Sequence, residues 1–158
     1  MKSSLTPVAA GLALAVMAAS SAASAQTVLR ASHQFPGGQG DVRDEMVQMM
    51  ADKVAEADVG LEIEVYPGQS LFKAREQWGA LVRGRLDITA LPLDYASGRH
   101  PEFSATLMPG LVRNHEHARR LNDSEFMDMI KDVIQEGGAR VLADAWLSGA
   151  FASSENCI

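Results

Sequence analysis

From Leu61 to Tyr66, the apolar residues Leu61, Ile63 and Val65 alternate with Glu62, Glu64 and Tyr66, the period-two pattern of a strand with one wet face. Pro67-Gly68 ends that strand. A helix follows with Trp78, Leu81 and Val82 on one side, and Gly84 stands where it exits through a left-handed residue before a strand over 86–90. Two strands joined by a helical crossover pair in parallel. The segment before it repeats the theme: a strand over 27–32, the loop Pro36-Gly37-Gly38-Gln39-Gly40, then a helix over 41–57. In that helix Val42, Met46, Met49, Met50 and Val54 recur at helical spacing and define the face assigned to the core, with the methionines read as packing rather than as a pliable binding surface.

Farther on the pattern breaks. Three prolines and two glycines interrupt 91–114, where walls of a binding cleft are expected. Asn122 or Asp123 can cap the next helix, whose Phe126, Ile130, Val133 and Ile134 turn inward until Gly137-Gly138 stops it, and 141–146 is read as a last strand. The order β, α, β, α, β, irregular crossing, α, β predicts an α/β fold with a mostly parallel sheet flanked by helices.

The N-terminal residues suggest where the protein works. Lys2, an apolar run over 8–19 too short to span a bilayer, and Ala23-Ser24-Ala25 before Gln26 make residues 1–25 a secretory signal peptide, expected to be cleaved after Ala25. No cysteine near the cut offers a lipid anchor, and a soluble exported product, not itself membrane-embedded, is expected. Loss of Lys2 with the leader makes the net charge one unit more negative than the −6 of the whole chain, and the arginines are scattered apart from Arg119-Arg120, which argues against nucleic acid as a partner. Cys157 is the single cysteine, so no intrachain disulfide forms.

Motif chemistry excludes more than it assigns. His115 and His117 at a helix start point about 200° apart and do not share a metal as an i, i+4 pair does, so no metal is assigned. Ser148-Gly149 and Ser153-Ser154 lack the strand-turn-helix context of a nucleophile elbow, and no catalytic residue is assigned. The loop 36–40 lacks both the Lys-Ser/Thr of a P-loop and the G-x-G-x-x-G spacing. Ligands of open α/β sheets bind at the carboxyl ends of strands. That rule selects His33 and Gln34 after the first strand, Gln69 and Glu76 after the second, Asp94 and Tyr95 after the third, and Trp146 and Phe151 after the last. Each has a structural alternative: His33 can tie its loop to the backbone, Trp146 can be core, and Glu76 on a first helical turn can serve the helix dipole.

Several of these residues also carry a family resemblance. Tyr66-Pro67-Gly68, Gln69-x-Leu71, Glu76 and Gly84-x-Leu86-Asp87-Ile88 resemble the solute-binding proteins of tripartite ATP-independent periplasmic (TRAP) transporters, the DctP family. So do Leu29-x-Ala31-x-His33 with Pro36 upstream, and Pro101-Glu102-Phe103 and His115 through Arg120 downstream. The resemblance implies a periplasmic-binding-protein-like lobe over 26–158, with the second lobe largely missing and the chain truncated near the crossover. It implies a small organic-acid solute, a polar contact from Glu76, delivery to membrane permease subunits, and no cofactor. The arginine that pairs with the solute carboxylate in such proteins falls beyond Ile158, and no arginine present takes its role. A half-cleft of this kind is expected to bind solute weakly and to leave sheet edges unpaired. Two other readings stay open: a small exported hydrolytic enzyme drawing on Glu76, His33, Asp94 or Ser154, and an interaction module without solute affinity.

Overall fold

A computed structural model describes residues 26–38 and 40–146. Residues 1–25, read above as a leader, together with Phe151, Cys157, Ser148-Gly149 and Ser153-Ser154, lie outside the described residues. Three strands, β1 (Thr27–His33), β2 (Leu61–Tyr66) and β3 (Ile88–Ala90), form one parallel sheet in the order β2-β1-β3. Thr27 pairs with Leu61 and Ala31 with both Val65 and Ile88, so only the carboxyl half of β1 has neighbours on both sides. That half, Ala31-Ser32-His33, is fully buried.

Helix α1 (Val42–Glu56) links β1 to β2, and α2 (Ala74–Leu81) links β2 to β3. Asp41 caps α1 by accepting from the Arg43 N–H at 3.0 Å. The left-handed exit expected at Gly84 is present, with φ of 67°. β3 begins later than the pattern suggests because the Asp87 carboxylate accepts from the Arg30 N–H at 2.9 Å, while the Asp87 N–H donates to the Arg30 carbonyl at 3.1 Å. The backbone N–H of Arg30, with the Arg30 guanidinium, holds the Asp87 carboxyl below its ordinary range.

The crossing after β3 folds into two 3-10 helices, Leu93–Ala96 and Pro101–Leu107, before α3 (His115–Asn122) and α4 (Glu125–Glu136). Phe103 in the second 3-10 helix is fully buried and joins Trp78 of α2, Ala96, and Met127, Ile130 and Ile134 of α4 in the main apolar cluster. Trp78 meets Phe103 edge-on at 5.4 Å between ring centroids, and His100 lies tilted against Phe103 at 4.9 Å.

Three expectations are corrected. The apolar stripe of α1 does not face the core: Val42, Met46 and Met49 are 61%, 43% and 57% exposed, while Asp44 and Val47 are buried. The helix is rotated so that Asp44 and Val47 face inward, with Asp44 Oδ1 3.1 Å from Nε2 of the buried His33. Residues 141–146 form no strand. Val141, Leu142, Ala143 and Ala145 give no clean alternation, and side chains hold the segment instead. Lys131 pairs with Asp144 at 3.2 Å, and the Trp146 indole N–H donates to the Asn122 side-chain carbonyl. Finally, Asn122 closes α3, and Ser124 is the residue that caps α4, its hydroxyl accepting from the Met127 N–H at 3.4 Å.

Candidate functional site

A cavity of about 370 Å³ opens at the carboxyl ends of the strands and is lined by Gln34, Gln69, Lys73, Ala74, Arg75, Glu76 and Tyr95. Its position follows from topology. The chain leaves β1 toward β2 on one side and reaches β3 on the other, and in open α/β sheets a crevice forms where that direction reverses. Gln34 follows β1, Gln69 follows β2, the first turn of α2 forms one wall, and Tyr95 comes from the 3-10 helix after β3.

The wall is held by bonds that also serve the fold. Gln69 has a left-handed backbone with φ of 63°, a conformation side chains rarely adopt. It is fixed at both ends: its N–H donates to the His33 carbonyl at 3.0 Å, and its side-chain Oε1 accepts from the Ala74 N–H at 3.0 Å. Glu76 Oε2 accepts from the Lys73 N–H at 3.2 Å, so two lining side chains cap the start of α2. The Arg75 guanidinium lies over the Tyr95 ring, 5.7 Å from its centroid, which steadies a cation at the cavity. Lys73 adds a second positive charge, and the Gln34 side-chain oxygen is buried without a hydrogen-bond partner among the described residues. The lining thus carries two cations, one carboxylate at Glu76, and the polar side chains of Gln34, Gln69 and Tyr95; the free Gln34 oxygen is an acceptor, and its amide N–H the group that can donate to an anion.

Of the residues selected from the sequence, Gln34, Gln69, Glu76 and Tyr95 come together here. His33 does not line the cavity. It is fully buried, its Nε2 lies 3.1 Å from Asp44 Oδ1, and its ring is tilted against Phe35. Burial draws the imidazole below its ordinary value of 6.5, against the opposing pull of Asp44. Asp94 also lies off the lining; its Oδ1 accepts from the Ser104 hydroxyl at 3.4 Å. Trp146 packs against the main apolar cluster and has no strand to follow, the alternative its sequence allowed. Lys73 and Arg75 were missed. They stand on either side of Ala74, just before Glu76 at the start of the same helix, and that neighbourhood is the available signal.

Comparison with known proteins now has a geometry to meet. Residues 33–156 match the DctP family, described as bacterial extracellular solute-binding protein, family 7. The chain belongs to this family. The family is named for binding solute. A solute-binding protein of Albidiferax ferrireducens is 38% identical over 147 residues, covering 90% of this chain and 44% of that protein. The sialic acid-binding periplasmic protein SiaP of Vibrio cholerae is 26% identical, covering 92% and 46%. This chain therefore spans less than half the length of the curated relatives it matches. A crystal structure of a TRAP periplasmic solute-binding protein from Rhodoferax ferrireducens with bound malonate is 40% identical, with a TM-score of 0.65 over 69% of this chain and 36% of that one. A succinate-bound TRAP protein from Sulfurospirillum deleyianum shares the fold at 22% identity and a TM-score of 0.65, over 72% and 36%. Among the described residues no helix is long and apolar enough to cross a membrane.

Proposed function

We propose that this chain is the first lobe of an exported TRAP-type receptor, which binds a small organic acid in a cleft between two lobes and hands it to membrane permease subunits. The observation that carries the reading is the cavity at the strand ends, where the Arg75 cation is held over Tyr95 beside Lys73 and the amides of Gln34 and Gln69. A carboxylate needs cations and N–H donors within one wall, and this wall supplies both. Malonate in the Rhodoferax relative gives the solute class its support. The protein acts outside the cytoplasm after removal of residues 1–25, requires no cofactor, and carries out no reaction on its cargo. Solute contacts with both lobes favour the closed form by their differential affinity.

The test is thermal unfolding of the intact exported protein with malonate, succinate and larger hydroxy acids. A ligand present at a hundred times its Kd adds about 2.7 kcal/mol of stability, a readily measured rise in midpoint. Unchanged midpoints across the panel would remove the organic-acid reading.

A further inference from the structure

Behind the cavity, the loop from Gln34 to Gly38 is pinned at several points. The Phe35 carbonyl accepts from the Gly68 N–H at 2.8 Å, Gly37 packs against the Pro67 ring, and Gly38 donates its N–H to Asp44 Oδ2 at 3.1 Å. The other oxygen of Asp44 lies 3.1 Å from His33 Nε2 and accepts from the Gln48 side-chain amide at 3.3 Å. His33 and Asp44 are both buried and in close polar contact, and neither ring nitrogen of His33 has a hydrogen-bond partner of good geometry among the described residues. One carboxylate on α1 thus hydrogen-bonds the far end of the loop and stands against the buried imidazole at the end of β1. Between those two points stands Gln34, the cavity residue whose side-chain oxygen is buried without a partner among the described residues.

We propose that His33 and Asp44 are positioning residues for the cavity: together they fix the loop after β1 and so set where the Gln34 amide meets solute, without touching solute themselves. The proposal rests on reading the cavity as a solute site. Its physical basis is that a buried carboxylate bonded on both oxygens holds its donors to a narrow set of positions. A hydrogen bond from an amide placed in advance loses less ordering entropy on binding than one from a mobile loop.

The test uses the intact exported protein and three variants, Asp44→Asn, His33→Leu and His33→Gln, the last of which keeps an N–H near the position of Nε2. NMR would follow hydrogen exchange of the Gly38 amide and the side-chain amide signals of Gln34, and calorimetry would follow malonate affinity. Asp44→Asn and His33→Leu are expected to speed Gly38 exchange by about tenfold, move the Gln34 side-chain signals, and weaken malonate binding by about tenfold. His33→Gln is expected to restore most of each. Loss of melting temperature with Gly38 exchange and Gln34 signals unchanged would overturn the proposal, as would a freed loop with unaltered malonate affinity. Should the wild type bind neither malonate nor succinate, the organic-acid reading fails. The Gly38 and Gln34 signals then still decide whether the pair holds the loop. If Asp44→Asn does not fold, the contrast between His33→Leu and His33→Gln carries the decision.

Discussion

Replacing Phe103 with alanine tests the claim that the irregular crossing is anchored by one aromatic side chain. Phe103 is fully buried, with Trp78 edge-on at 5.4 Å and His100 at 4.9 Å. Phe-to-Ala changes in cores cost about 3–5 kcal/mol, with the higher values where the cavity cannot collapse. Collapse is resisted here. Trp78 is wedged on its other side, where a Cβ on Gly137 would stand only 2.8 Å from the indole, and Ile130 and Ile134 are fixed on α4. We therefore expect a loss of about 4–5 kcal/mol, a large part of the roughly 5–15 kcal/mol that holds a domain together. At about 4 °C per kcal/mol for a chain of this size, the unfolding midpoint should fall by about 16–20 °C. The assay is urea and thermal unfolding followed by tryptophan fluorescence, with Met108→Ala, at an exposed position, as a control expected to stay within about 0.5 kcal/mol. A loss below about 1 kcal/mol with an unchanged denaturant slope would refute the anchoring argument, since a fully buried ring cannot be removed that cheaply.

Gly37→Ala would place a Cβ 2.5 Å from Pro67 Cγ, between a loop and a proline ring that both resist movement; we expect a loss of about 1–3 kcal/mol by thermal unfolding. Arg75→Gln removes the cation over Tyr95 from an exposed helix position, so malonate affinity should fall by about tenfold while the melting temperature moves little, a split calorimetry and thermal unfolding would separate. His33 has a folded-state value below 6.5, so the unfolded chain takes up its proton first. Its contribution is full above 6.5 and is lost as pH falls from there through the lower folded value. Denaturation from pH 7 downward should show that slope, and in His33→Gln the part due to this residue should vanish.

Where local chemistry decides structure, the residues were readable. The alternation from Leu61 to Tyr66, the Pro67-Gly68 stop and the exit at Gly84 each act within a few residues of themselves, and β2, α2 and the following strand are legible from them. The rule that ligands sit at strand ends then found Gln34, Gln69, Glu76 and Tyr95. What escaped depends on partners distant in sequence. The face that α1 buries carries Asp44 against His33 together with Val47, a contact that no periodicity encodes. The segment 141–146 is placed by Lys131 and Asn122, and its own residues suit a strand as well as a coil. Tyr95 lines the cavity and its neighbour Asp94 does not, because a 3-10 turn sends adjacent side chains in different directions.

The capping of α2 by Gln69 and Glu76 has an optical consequence. Both side chains that finish the helix start also face the cavity, so a solute that recruits either must compete with the Ala74 or Lys73 N–H. One turn farther along the same short helix sits Trp78, wedged edge-on between His100 and Phe103, and the chain has only one other tryptophan. On the proposed reading of the cavity as a solute site, a shift in that first turn is expected to reach the indole one helical turn away. The molecule would then carry its own fluorophore beside the solute, and a change in tryptophan emission is the expected report of occupancy without a label.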